Sequence, residues 1–309
     1  MSCAAVVSPT SAGTVPFDAW VAERAERFEI AAQRMLPPAD AVPQRLHAAM
    51  RYAVLDGGKR VRPLLVYAGG EVTGAEDEAL DRAALAVEYV HAYSLAHDDM
   101  PCMDNDVLRR GKPTVHVQFG QAQAMLAGDA MQALAFEVLT PEGDAVPVAL
   151  QARLCALLAR SAGHAGMAGG QAIDLASIGA RLDEAALRDM HRRKTGALLQ
   201  ASVLMGAACG LPDERAWRAL SDYGAAVGLA FQVVDDILDV TQESETLGKT
   251  AGKDEHQNKP TYVSVLGLEA ARSHALELRD QAHAALAASG LADAARLALL
   301  ADKVVERDS

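Results

Sequence analysis

From Phe17 onward the apolar residues recur at three- and four-residue intervals, and no stretch alternates as a half-buried strand would. That periodicity restricts the chain to helices packed on helices. The spacing predicts helices over Phe17 to Met35 (ended by Pro37-Pro38), Val42 to Leu55 (stopped at Gly57-Gly58), from Pro63, and over Asp77 to Asp99. Others follow at 119–139, 146–167, 183–209, 213–240, 260–288 and 291–306. Between them, loops are expected at Gly57–Arg62, Met100–Thr114, Thr140–Val146, Gly169–Arg181 and Thr241–Lys259. Half of the 309 residues are hydrophobic but only 4% are aromatic, and Ala and Leu dominate, which suits close helix packing. No Ser/Gly linker divides the chain. The expectation is one all-α domain of about ten helices over residues 17–309, preceded by a Ser/Thr/Pro/Gly-rich flexible tail over 1–16.

The net charge of −12 argues against a general affinity for nucleic acid or an anionic membrane. Cys3, Cys102, Cys155 and Cys209 lie far apart without metal-ligand spacing and read as free thiols. No signal peptide and no long uninterrupted apolar run is evident, so a cytoplasmic protein without a membrane span is expected. Neither a Walker loop nor a dinucleotide fingerprint is present, which argues against ATP and NAD.

Two apolar helices each end in aspartates. The first leads into Asp98-Asp99-Met100-Pro101-Cys102-Met103-Asp104, the second into Asp235-Asp236-Ile237-Leu238-Asp239. Asp235 and Asp239 are four apart and share a helix face, where like charges are unfavourable unless something positive lies between them. Asp98 and Asp104 are six apart, too far round a regular helix to meet. Pro101 disfavours helix at Met100, so the chain is expected to turn and bring Asp104 back to Asp98. Hard carboxylates with an incomplete shell suit Mg²⁺ shared with a phosphate.

Cations accompany both clusters. Gly57-Gly58-Lys59-Arg60-Val61-Arg62-Pro63 is a glycine-flexed turn with three positive side chains before a helix. Arg109-Arg110-Gly111-Lys112 follows the first cluster. Arg192-Arg193-Lys194-Thr195 lies in a helix, and Lys249, Lys253 and Lys259 follow the second cluster. Arginine offers forked bonds to phosphate and lysine a mobile point charge.

Taken in order, the glycine-rich basic turn, the first aspartate cluster with its Arg109-Arg110-Gly111, then Lys194-Thr195-Gly196 and Phe231-Gln232-Val233-Val234-Asp235-Asp236-Ile237-Leu238-Asp239 resemble the trans-isoprenyl diphosphate synthases. The four residues between Asp99 and Asp104 resemble the bacterial farnesyl diphosphate synthase subgroup. The resemblance implies an all-α bundle around a central cavity, usually a homodimer, that couples isopentenyl diphosphate to an allylic diphosphate. It implies that Asp98 and Asp104, with Asp99 supporting, hold two Mg²⁺ ions, and that Asp235, with Asp239 nearby, holds a third. Arg109, Lys194, Lys259 and Lys249 would hold the allylic diphosphate. Lys59, Arg62, His91 and Arg110 would hold isopentenyl diphosphate, and Thr195 and Gln232 would face the reacting carbons. A bulky aromatic at Tyr93 would stop growth at fifteen carbons, although spacing alone puts Ser94 directly beneath Asp98.

Other readings predict other features. A geranyl or geranylgeranyl diphosphate synthase would share the chemistry and differ in product. A terpene cyclase would not need the Gly57–Pro63 cluster, and a non-catalytic partner subunit would be expected to lack some of the aspartates.

Overall fold

A computed structural model describes residues 15–55, 57–180, 182–241 and 260–307. Most of the expected 1–16 tail and the whole of 242–259 lie outside them, including Lys249 and Lys259. The early helices follow the apolar periodicity closely: α1 Phe17–Met35, α2 Gln44–Val54, α3 Val61–Glu71 and α4 Asp77–Asp98. The helix expected over 119–139 is α6 Gln121–Glu137, and a short unforeseen helix, α5 Val115–Phe119, precedes it across Gly120. Then come α7 Val148–Ala162, α8 Met167–Ala176, α9 Glu184–His191, α10 Ala197–Cys209 and α11 Glu214–Thr241. After the undescribed segment, α12 Tyr262–Leu266 and α13 Leu268–Ala288 are separated at Gly267, and α14 Ala295–Val305 ends the bundle. Gly120 and Gly267 both sit at positive φ, 90° and 84°, which breaks each helix into two.

Three expectations need correction. Residues 169–176 are helical, not loop. Gly169-Gly170 opens the expected loop, but Gly170 serves close packing. A Cβ on Gly170 would lie 2.1 Å from the Lys194 backbone nitrogen. The expected 183–209 helix is interrupted by a π-helical turn over Arg192–Gly196, the kind of bulge that often re-aims functional side chains. A two-stranded antiparallel ladder, β1 Leu108–Arg109 and β2 Lys112–Pro113, crosses the Met100–Thr114 loop.

α10 is buried along almost its whole length, between α3, α7 and α11. α4 packs on α3 and α6, and α11 on α10 and α13. Among the described residues no helix is long and apolar enough to cross a membrane.

Arg60, one of the three cations in the glycine-rich turn, belongs to this scaffold. It has a left-handed backbone (φ 50°), and its buried guanidinium donates to Glu88 (2.9 Å), to Glu29 (2.8 Å from Nε) and to the Val54 carbonyl (2.6 Å). It also lies over the Phe28 ring at 4.8 Å. Arg60→Ala would strand Glu88 in the core, an effect of roughly 3–5 kcal/mol. Chemical denaturation should register that loss, and a change below about 0.5 kcal/mol would show that the pair is not holding α3 to α4.

Candidate active site

Three elements carry the candidate groups, each taken here as one wall of the site. The first is the end of α4 and the turn after it. The Asp104 N–H donates to the Asp98 carbonyl at 2.8 Å, and the Asp106 N–H to the Asp99 carbonyl at 3.1 Å. The turn at Pro101 thus brings Asp104 back to the helix end. Burial raises the Asp98 carboxyl to about 6, with Lys194 pulling it down and Asp104 pushing it up. Such a pair resists holding two negative charges, and a divalent cation would relieve it. Asp99 turns elsewhere. It takes a forked pair of bonds from Arg109, 2.9 Å from Nε and 2.5 Å from Nη2. Thr114 and His116 both reach the Asp106 carbonyl, at 2.7 and 2.8 Å, and pin the turn.

The second wall is the π-helical turn, clamped between α8 and α11. Gly170 meets it from one side. From the other, a Cβ on Gly228 would lie 2.8 Å from the Gly196 Cα. Lys194 forms an ion pair with Asp174 of α8 at 2.5 Å. Burial opposes its charge, but Asp174, Asp98 and Asp104 together hold its pKa above the ordinary value. Lys194 therefore links α8 electrostatically to the first wall. Thr195 donates to Gln232 Oε1 of α11 at 2.9 Å.

α11 is the third wall. Its neighbouring aspartates point differently: the Asp235 side chain is 42% exposed and 3.5 Å from Arg307, whereas Asp236 and Asp239 are buried. Arg307 also donates to the Phe231 carbonyl at 2.7 Å and lies over that ring at 3.9 Å.

A separate cluster of cations stands beside α4. His91 is held well below its ordinary pKa by burial and by Arg62, Arg110, Arg109 and Arg60. Burial, together with Arg110, lowers Arg62 to about 10 against the pull of Glu88, and the Arg62 Nε is buried without a hydrogen-bond partner. Arg110 donates to the Gly57 carbonyl at 2.9 Å. Crowded arginines around a neutral imidazole suit a multiply charged anion. Lys59 is not enclosed with them. It is exposed, and its pKa is lowered by burial of its stem and by Arg307, against Asp235.

Tyr93 is buried, with its ring edge on His97 (centroids 5.8 Å apart), and its hydroxyl accepts from Gln132 of α6 at 3.3 Å. Ser94 donates to the His91 carbonyl at 2.9 Å, a bond within its own helix.

Among the described residues no three His, Cys, Asp or Glu side chains converge into a metal cage. The donors still fit Mg²⁺. They are hard carboxylate oxygens, like-charged and partly buried, and they supply only part of an octahedral shell. Sequence reasoning missed Asp174, hidden in an expected loop; Arg307, which has no motif; and the inward role of Asp236. The rotation of adjacent residues on a helix could have hinted at the last.

Residues 43–294 match the family described as polyprenyl synthetase. The chain is 48% identical over 264 residues to the farnesyl diphosphate synthase of Escherichia coli K12, covering 84% of this chain and 88% of that one. Its fold is similar to the apo crystal structure of an FPP/GFPP synthase from Zymomonas mobilis (TM-score 0.83, 41% identity, 94% and 98% of the two chains). It is also similar to a Helicobacter pylori geranyltransferase complexed with magnesium and isoprenyl diphosphate (TM-score 0.82, 34% identity, 96% and 98%). The aspartates of α4 and α11 and the arginines beside α4 thus stand on a scaffold matched over 94% of this chain by a solved synthase, and the chain belongs to the polyprenyl synthetase family.

Proposed function

We propose that the protein is a Mg²⁺-dependent prenyltransferase that condenses isopentenyl diphosphate with dimethylallyl and then geranyl diphosphate to give farnesyl diphosphate. The observation that carries this is the pairing of two unlike charge clusters: Lys194 among Asp174, Asp98 and Asp104, and arginines crowded around His91. A reaction between two diphosphates, only one of which departs, needs that asymmetry. The 48% identity to a farnesyl diphosphate synthase supports the product.

Asp98, Asp104 and Asp235, with Asp99 and Asp239 in support, would hold three Mg²⁺ ions. When bound, the metal neutralises charge on the departing diphosphate. Lys194 and Arg109 supply fixed positive charge on the same side, so no reorganisation is needed as the C–O bond lengthens. Arg62, Arg110 and His91, with Lys59 from the rim, hold the isopentenyl diphosphate whose double bond attacks the allylic carbon. Thr195 and Gln232 face that carbon. Apolar walls keep water from the cation, and the released diphosphate takes the proton. A single domain over 17–309, three rather than fewer ions, a homodimer and a cytoplasmic location complete the reading. The geranylgeranyl and geranyl alternatives are decided by the product. Incubation with isopentenyl and dimethylallyl diphosphates plus Mg²⁺, followed by chromatography, should give the fifteen-carbon diphosphate, and a twenty-carbon main product would overturn the assignment.

The two anion sites should separate kinetically. Arg110→Ala and Lys59→Ala should raise the KM for isopentenyl diphosphate roughly ten- to hundredfold, the scale of a charged hydrogen bond. Arg109→Ala and Lys194→Ala should act mainly on the allylic substrate. If steady-state kinetics give equal effects on both substrates for all four, the division into two sites is wrong.

A further inference from the structure

We propose that Asp236 is a positioning residue that sets the polarity of the hydrogen-bond relay facing the reacting carbons. The inference rests on the reading above, in which Thr195 and Gln232 lie against the allylic carbon. Asp236 follows Asp235 directly, but one residue is about 100° of helix rotation. Asp235 therefore lies half-exposed beside Arg307, while Asp236 is 2% exposed. Both of its oxygens accept. Oδ1 takes a hydrogen from Gln232 Nε2 at 2.8 Å, and Oδ2 takes the backbone N–H of Tyr262, the first residue of α12, at 2.7 Å.

These contacts propagate. A carboxylate acceptor obliges Gln232 to present its amide nitrogen, which turns Oε1 toward Thr195. The Thr195 hydroxyl has one hydrogen and donates it to that oxygen at 2.9 Å. The hydroxyl's lone pairs are then what it offers in other directions. Asp236, Gln232 and Thr195 thus form a chain whose donors all point toward Asp236 and whose oxygens lie at the other end. A positive carbon is favoured beside oxygen lone pairs and disfavoured beside N–H or O–H hydrogens. If position 236 offered a donor instead, a reversed Gln232 amide would keep every hydrogen bond in the chain, since a hydroxyl can also accept, but it would face the cation with hydrogens.

The Tyr262 contact makes the idea testable. Its N–H belongs to the main chain and cannot become an acceptor. In D236N the asparagine oxygen must therefore face Tyr262, and its NH₂ must face Gln232. Gln232 then flips its amide, and the relay runs backwards with its shape intact. In Q232E two carboxylates oppose each other. In Q232E/D236N the asparagine NH₂ donates to one oxygen of the new glutamate, whose other oxygen accepts from Thr195, and the original polarity returns.

The experiment compares wild type, D236N, Q232E and Q232E/D236N with isopentenyl and dimethylallyl diphosphates, recording kcat, both KM values and the thermal midpoint. D236N should lower kcat roughly ten- to hundredfold, with each KM within about threefold and little change in midpoint. Q232E should lower kcat when Asp236 is present and raise it about tenfold when Asn is there, a change of sign that loss of structure alone does not produce. Wild-type kcat in D236N, or a fall in both backgrounds on adding Q232E, would overturn the relay. Product formation by the wild-type protein tests the prenyl-transfer reading on its own; the relay is read from the ratios among the four proteins.

Discussion

Replacing Asp98 or Asp235 by alanine is expected to lower kcat/KM by roughly three orders of magnitude or more, because ligands of the one metal site proposed for them would act as a unit. The two residues stand on different walls, α4 and α11, so equal losses would report a shared centre and not a local defect. Stability should move the other way for Asp98. Its carboxyl rises from 3.8 to about 6 on folding, through burial first and Asp104 second. A raised carboxylate is a penalty on the folded state that is absent below the unfolded pKa and fully present above the folded one. Asp98→Asn should therefore stabilise the protein by roughly 1–3 kcal/mol at pH 7 and by almost nothing near pH 4. Thermal melting without Mg²⁺ at the two pH values reads this directly. Near-normal turnover of Asp235→Ala with Mg²⁺ would remove the three-ion arrangement.

Tyr93→Ala should convert a fifteen-carbon product into products of twenty carbons or more, while the first condensation proceeds at close to its normal rate. Tyr93 lies one residue over a turn before Asp98, roughly 7–8 Å further along α4. Its ring is buried against His97, and its hydroxyl is held by Gln132. A ring braced at both ends can close a tunnel, whereas alanine leaves it open. Removing so large a buried side chain should also cost about 3–5 kcal/mol of stability, so product analysis belongs below the mutant's melting range. Ser94→Ala provides the contrast. Its hydroxyl only returns to the His91 carbonyl, and the product should stay at fifteen carbons. A Tyr93→Ala protein that still stops cleanly there would put the floor of the tunnel elsewhere and weaken the farnesyl assignment with it.

Much of this architecture can be read along the chain. Apolar spacing places α1, α2, α4 and α11 to within about two residues, since a helix face is a local, periodic property. Pro101 foretells the return of Asp104 to Asp98, because its effect on Met100 is also local. Both aspartate clusters and the arginines near them are visible in order. Tertiary packing decided the rest. Gly169 and Gly170 read as loop until Gly170 is seen to let α8 touch the Lys194 backbone. Lys194 looks free to meet a phosphate until Asp174 is found beside it, and Arg109 until Asp99 is. Arg307 reaches Asp235 from 72 residues away, without any motif to announce it. Spacing puts Ser94 beneath Asp98, but its hydroxyl turns back to the His91 carbonyl, while Tyr93 reaches Gln132 of α6. Asp235 and Asp236 are the same residue side by side; i, i+4 spacing sets Asp236 against Gln232, but only the packing of α12 on α11 brings the Tyr262 N–H to its other oxygen. A sequence records burial along one dimension; which buried group meets which is settled by helices that approach from distant parts of the chain.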